Sequence, residues 1–248
     1  MSCGEFRQSA PRGVVANRAF RAYPPTMCGR FASTTPPDTI ARLFRTTGPV
    51  PNVAPSWNVA PGQNAMVVRR HPENGERRLD LLGWGLVPHW TKDLHSARKP
   101  INARAETVAT MPMFRDAFRR RRCIVPADAF YEWQPRDDGP KQPFAAARAN
   151  GGVLAFAGLW EGWRAPDGET LRTFAIVVSA ANKDMAPIHD RMPVILEQPD
   201  WPLWLGEVEG DTRTLLHPSE VGTLKIWPVG TRINRPANND AGLLEPAG

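Results

Sequence analysis

Strand-forming runs outnumber helical ones along this 248-residue chain, and the helices fall at irregular intervals instead of between successive strands; the sequence therefore predicts an α+β fold, not a βαβ repeat. Hydrophobic residues make up 42% of the chain and charged residues 23%, with nine tryptophans, which is enough apolar side chain for a substantial core. No internal repeat occurs, and no linker after Met27 divides the remainder, so one domain is expected.

Residues 1–26 come first and lack hydrophobic periodicity. They place Arg7, Arg12, Arg18 and Arg21 against Glu5, a net +3 out of the chain's +6, and end in Tyr23-Pro24-Pro25-Thr26. This composition predicts a disordered arm, or a start assigned upstream of Met27. No apolar stretch in it is long enough for a signal peptide. A short helix is expected over Asp38–Arg45, entered at Pro36-Pro37, with Ile40, Leu43 and Phe44 on one face and a stop near Gly48. Pro49 to Pro61 reads as a proline-punctuated loop. Strands are expected at Ala65–Arg70 and Arg77–Trp84, joined through Asn74-Gly75, a pair that favours a tight hairpin.

Met113–Arg122 has a helical pattern, and Cys123–Pro126 and Ala129–Trp133 are expected to be extended. Two more strands, Gly152–Trp160 and Thr173–Ala180, flank a turn at Pro166-Asp167-Gly168. A short helix around Trp201–Leu205 and a strand near Leu224–Val229 complete the pattern, and Pro236–Gly248 reads as a C-terminal tail.

Several function classes are disfavoured by what the chain contains. Its longest apolar run, VLAFAGLW at 153–160, falls well short of the roughly 20 residues that span a bilayer, which predicts a soluble protein without a membrane partner. Cys3, Cys28 and Cys123 are too scattered for a disulfide framework and point to a reducing, cytoplasmic compartment. No Cys-x-x-Cys or histidine spacing suits a metal, and no phosphate-binding glycine loop is present, so neither metal nor cofactor is expected. The run Arg119–Arg122 reads either as a phosphate-contacting helix end or as a solvated face that suits the helix C-terminus.

Four short segments set polar residues in apolar surroundings: MCGRF at 27–31, INARAET at 101–107, FYEW at 130–133 and IHDRMP at 188–193. Each has a bland reading. Cys28 would serve as a small buried hydrophobe, Asn102 as a turn former, Glu132 as a solvent-facing strand residue and His189 as a core imidazole. Together they offer a nucleophile, an orienting amide, an acid and a base.

These segments, with WNVAPG at 57–62, WGLVPHW at 84–90, CIVPADAFYEW at 123–133, KQPF at 141–144 and WPVGTRIN at 227–234, resemble the SRAP family, the SOS response-associated peptidase-like proteins that shield abasic sites in single-stranded DNA. The resemblance implies a single SRAP-type domain over 27–235, with a mixed, barrel-like β core and peripheral short helices. It places the catalytic cysteine at Cys28, with Asn102, Glu132 and His189 as partners. Arg30, Arg104 and Arg191 match positions that contact the DNA backbone, and Pro61 and Trp90 match positions beside the splayed bases. Thr91 departs from members with a second tryptophan after Trp90, which bears on the extent of stacking. The implied partner is single-stranded DNA containing abasic sites, met by a monomer in the cytoplasm, at the nucleoid in a bacterial cell, with replication-fork proteins as candidate partners in the DNA damage response.

The chemistry gives each residue a reason. A ring-opened abasic site carries an aldehyde, and an N-terminal cysteine carries both an amine and a thiol. Amine condensation followed by thiol addition closes a thiazolidine, and intramolecular closure enjoys effective molarities up to about 10⁵–10⁸ M. Glu132 would deprotonate the amine, His189 would act as the acid, and Asn102 would orient Cys28 or bond the developing oxygen. This requires a free amine at Cys28, reached by initiation at Met27, by proteolytic trimming, or by self-cleavage of the Met27–Cys28 bond, and the first is preferred. Two other classes of activity compete: a thiol peptidase acting on other proteins through Cys28, His189 and Glu132, and a non-covalent single-strand binder.

Overall fold

The computed structural model describes residues 28–247; the arm expected over 1–26, and Met27, lie outside the described residues. In chain order the elements are β1 (Arg30–Ser33), α1 (Pro37–Phe44), β2 (Ser56–Val59), β3 (Asn64–Arg70), β4 (Arg77–Trp84), β5 (Asn102–Arg104), α2 (Arg115–Arg120), β6 (Arg122–Ala127), β7 (Ala129–Gln134), β8 (Gln142–Arg148), β9 (Leu154–Arg164), β10 (Thr170–Ala180), β11 (Arg191–Pro193), α3 (Trp201–Leu205) and β12 (Leu224–Pro228). One sheet runs β12-β8-β7-β1-β2. The other runs β11-β10-β4-β3-β6-β9 with β5 beside β10, and an added β9–β10 pairing closes five of its strands into a barrel-like ring. The α+β class and the barrel-like core are thus present.

Period-two alternation sorts the ring's side chains onto two faces. Ala65, Val67, Leu82, Trp84, Val125, Phe156, Phe174 and Ile176 join one apolar cluster, which also receives Phe31, Phe130 and Ala146 from the five-stranded sheet. The intervening residues, among them Met66, Val68, Ile124, Ala157 and Val177, join a second cluster with α1, α2 and α3 through Phe44, Phe118 and Trp204. The helices therefore cover the opposite face of the ring wall from the five-stranded sheet. Gly158 permits the close β6–β9 approach, because a Cβ there would lie 2.9 Å from Cys123 Sγ.

The β3–β4 hairpin forms with Arg70 opposite Arg77, and α3 has the expected bounds. Elsewhere the structure corrects the sequence reading. The proline loop from Pro49 to Pro61 contains β2, which pairs Val59 with Phe31. The helix expected over Met113–Arg122 is shorter, because Arg122 already pairs with Leu159 as the first residue of β6.

The segment 236–247 is not a loose tail. Its 3₁₀ turn over Ala241–Leu244 is capped by Asp240, whose side chain accepts from Gly242 N. Leu243 is buried with Ile233, Ala32, Ala129 and Tyr131 over the outer face of the five-stranded sheet. Trp227 Nε1 donates to Leu244 O at 2.9 Å, and Ala247 N donates to Pro228 O at 2.9 Å.

Candidate active site

Cys28 lies just before β1, with its backbone in the left-handed region at φ 46°, a costly conformation for a non-glycine residue. Its side chain is buried in the cluster between the sheets. Glu132 sits on β7 two residues beyond Phe130, so alternation turns it toward that same cluster, where it is 3% exposed. The Cys28 backbone N–H donates to Glu132 Oε1 at 2.5 Å. The same carboxyl also acts electrostatically on the buried thiol, so one acid addresses both the nitrogen and the sulfur of one cysteine.

Electrostatics follow from this burial. Desolvation pushes the Glu132 carboxyl up to about 8, against the downward pull of Cys28, the Trp133 amide and the Lys141 charge. Burial, reinforced by Glu132, raises the Cys28 thiol well above its usual range. In this state the thiol is held protonated at neutral pH, unlike the thiolate of an activated cysteine nucleophile.

Asn102 and Arg104 stand on β5, paired in parallel with Ile176 and Val178 of β10, so both belong to the face that carries the Cys28 cluster. Ile101 and Ile188, which precede Asn102 and His189, are themselves members of that cluster. The loop before His189 is tied to the end of β7 by Gln134 Nε2 donating to Pro187 O at 2.8 Å. His189 Nδ1 lies 3.1 Å from the Arg191 backbone nitrogen, whose N–H it accepts when that ring nitrogen carries no proton. Asp190 Oδ1 lies 2.9 Å from the same Nδ1. Burial lowers the His189 pKa, opposed by Asp190 and assisted by the positive charges of Lys141 and Arg191.

Arg191 forms an ion pair with Glu106, two positions after Arg104. Against the upward pull of burial, hydrogen bonds and the charges of Arg191 and Arg104 hold the Glu106 carboxyl below its ordinary value. Arg104 and Arg191 are thereby gathered around one carboxylate. Arg30 is placed differently: its guanidinium donates to Asn58 Oδ1 at 3.1 Å and to Ile233 O at 2.9 Å, beneath the C-terminal segment on the side away from Glu132. This is a tie between β1 and that segment. Pro61 opens the turn between β2 and β3, where Gly62 N donates to Trp84 O at 2.8 Å. Trp90 is 52% exposed, while the next residue is anchored by Trp163 Nε1 donating to Thr91 O at 2.7 Å. Trp84 is fully buried, with its Nε1 bonded to Ile101 O.

Lys141 is the residue that sequence reasoning passed over. The KQPF motif was visible, but only the β7–β8 register, with Gln134 opposite Gln142, brings this cation to the site. Its charge acts on both Glu132 and His189. Among the described residues no group of three or more histidine, cysteine or acidic side chains is arranged to hold a metal ion, and no helix is long and apolar enough to cross a membrane.

Residues 27–236 match the family model of the SOS response associated peptidase (SRAP). The chain is 39% identical over 224 residues to the abasic site processing protein YoqW of Bacillus subtilis, an alignment covering 88% of this chain and 99% of that protein. It is 32% identical to the abasic site processing protein HMCES of Xenopus tropicalis, over 86% of this chain and 76% of the other. In fold it resembles a crystal structure of a Bacteroides thetaiotaomicron protein, with a TM-score of 0.80 at 21% identity, covering 89% of this chain and 100% of that one.

Proposed function

Because the chain belongs to the SOS response associated peptidase (SRAP) family, we propose that it captures abasic sites in single-stranded DNA through Cys28, once that residue has become the N-terminus. The relatives named abasic site processing proteins support the lesion as target. The observation that carries the covalent chemistry is the single buried Glu132 carboxyl, which accepts from the nitrogen of Cys28 and acts on its sulfur.

The free amine arises by removal of Met27 after initiation there, or by self-cleavage of the Met27–Cys28 bond. Glu132 takes a proton from the ammonium, and the amine adds to the ring-opened aldehyde to give a carbinolamine. His189 donates the proton with which hydroxide leaves as water, forming the imine. The Cys28 sulfur then adds to the imine carbon while its proton passes to nitrogen, so thiazolidine formation releases one water overall. Asn102 bonds the oxygen on the reacting carbon. Arg104 and Arg191 hold flanking phosphates, and Trp90 stacks on an unpaired base. A carboxyl held near neutrality suits the first step, since a catalytic base works best close to the operating pH.

The same geometry weighs against a thiol peptidase acting on other proteins. Burial and Glu132 hold the Cys28 sulfur in its protonated form, whereas a thiol peptidase attacks through a thiolate.

The test is protein beginning at Cys28, mixed with a uracil-containing single strand treated with uracil glycosylase. A product resisting denaturing electrophoresis, with the summed mass less one water, is expected. Cys28→Ser and Cys28→Ala both keep the amine and should leave only an imine that needs borohydride to survive. Persistence of the stable product in Cys28→Ala would overturn the reading.

A further inference from the structure

The run Arg119–Arg122 is not accounted for by the chemistry at Cys28. It lines two adjoining open clefts on the helical face of the ring, of about 640 and 750 Å³, which share Arg119 and Arg122. The first is completed by Arg70 and the β3–β4 turn, the second by Arg115 and Arg213. Glu73 and Asp116 are the acidic residues among those lining the two clefts.

Some of these arginines serve the fold. Arg122 donates through Nε to Trp204 O and through Nη1 to Phe118 O at 2.7 Å, closing the ends of α3 and α2. Arg70 is bonded to Gly75 O and Gly206 O, Arg121 to Glu161, and Arg213 to Asp211. Arg115, Arg119 and Arg120 are different. All three are exposed on α2, and among the described residues none of their guanidinium groups has a hydrogen-bond or ion-pair partner. Arg115 and Arg119 are one helical turn apart, where like charges repel. The fold thus carries three uncompensated cations beside arginines whose positions are already fixed.

We propose that this arginine-lined groove is a second nucleic-acid site that holds the phosphodiester backbone, separate from the site at Cys28. The wall of the ring stands between them, since α2 packs on the cluster opposite the one containing Cys28. Two adjoining open clefts lined by guanidinium groups fit an extended polyanion better than a small enclosed ligand, because each guanidinium can bridge two phosphate oxygens. The lining of the groove is dominated by guanidinium groups, which read charge, so it binds undamaged nucleic acid with little sequence preference. The proposal does not depend on covalent capture at Cys28.

The full chain and its Arg115→Gln/Arg119→Gln/Arg120→Gln variant are titrated with a fluorescent 30-nucleotide strand and with the corresponding duplex, both free of abasic sites, over a range of salt concentrations. Loss of three phosphate contacts should reduce the slope of log K against log salt by about 2–3 in the arm that matches the natural backbone source, single strand or duplex. Covalent capture of a six-nucleotide abasic strand should be unchanged, because none of the three arginines belongs to the site at Cys28. The triple lysine variant should recover the slope, and it decides the matter if the glutamine variant melts early. An unchanged slope in both arms, failure of lysine to restore it, or binding of an acidic peptide in place of both nucleic acids overturns the proposal. Failure of covalent capture alone does not touch it.

Discussion

The backbone nitrogen of Cys28 and the carboxyl of Glu132 meet at 2.5 Å although they are 104 positions apart in sequence. β1 and β7 are neighbours in register, with Arg30 opposite Tyr131, and this pairing delivers the contact. Because burial raises the Glu132 pKa to about 8 from an ordinary value near 4.5, the folded state retains a proton that the unfolded chain releases. Stability is then lost as pH rises from about 4.5 through 8, and the loss is complete above 8. Glu132→Gln removes this penalty. It should be more stable than the wild type at pH 8.5, by at most about 5 kcal/mol, with the gap closing toward pH 4.5. Urea unfolding at the two pH values measures it. The same variant should form crosslinks at least about 100-fold more slowly, as expected for loss of a general base.

Lys141 acts on Glu132 and His189 together. Its positive charge favours the ionised carboxylate and the neutral imidazole, so it lowers both pKa values. Lys141→Met should therefore move both titrations upward. The acidic and basic limbs of a pH–rate profile for crosslinking report the shift, and NMR titration of the His189 ring checks its half directly. A profile displaced downward, or a rate loss with no displacement, would contradict the electrostatic role.

How much of this was legible beforehand depended on where the information lies. The β3–β4 hairpin was legible because its alternation and its Asn-Gly turn are local. Cys28, Asn102, Glu132 and His189 were legible as polar breaks in apolar context. β1, β5 and β11 were not expected, because RFAS, NAR and RMP are too short to show a period and become strands only by pairing with distant partners. Ring closure likewise depends on β10 accepting β4 and β5 in parallel on one side and β9 on the other, a long-range arrangement with no local signature. Arg30 matched a DNA-contacting motif, yet its head group is bonded to Asn58 and Ile233, which motif position alone does not reveal.

Asn58 makes the C-terminal segment part of the domain. Its buried Nδ2 donates to Arg235 O at 3.1 Å and to Asn238 O at 2.9 Å, and its Oδ1 accepts from Arg30. Asn58→Ala strands these buried partners, and each unsatisfied group costs about 1–3 kcal/mol. Deleting residues 236–248 should destabilise the protein by a similar or larger amount, since Leu243 leaves the outer face of the five-stranded sheet exposed. Thermal unfolding of the two single changes and their combination should show sub-additive losses, because both remove the Asn58–Asn238 bond. Full additivity would mean that this bond contributes no stability.

Trp90 tests the proposed contact with an unpaired base. A tryptophan that is 52% exposed contributes little to the core, and its neighbour Thr91 is held by Trp163 independently of the indole. Trp90→Ala should accordingly leave the unfolding free energy within about 0.5 kcal/mol of the wild type. If the indole stacks on an unpaired base, the variant should bind an abasic single strand about 1–3 kcal/mol more weakly, a loss of roughly 5- to 150-fold. The loss should persist at high salt, because stacking releases no counterions, whereas substitutions of Arg104 and Arg191 should reduce the salt slope. Fluorescence anisotropy with Cys28→Ala protein isolates binding from covalent capture. Unchanged affinity would remove Trp90 from the interface and leave the arginines as the principal contact.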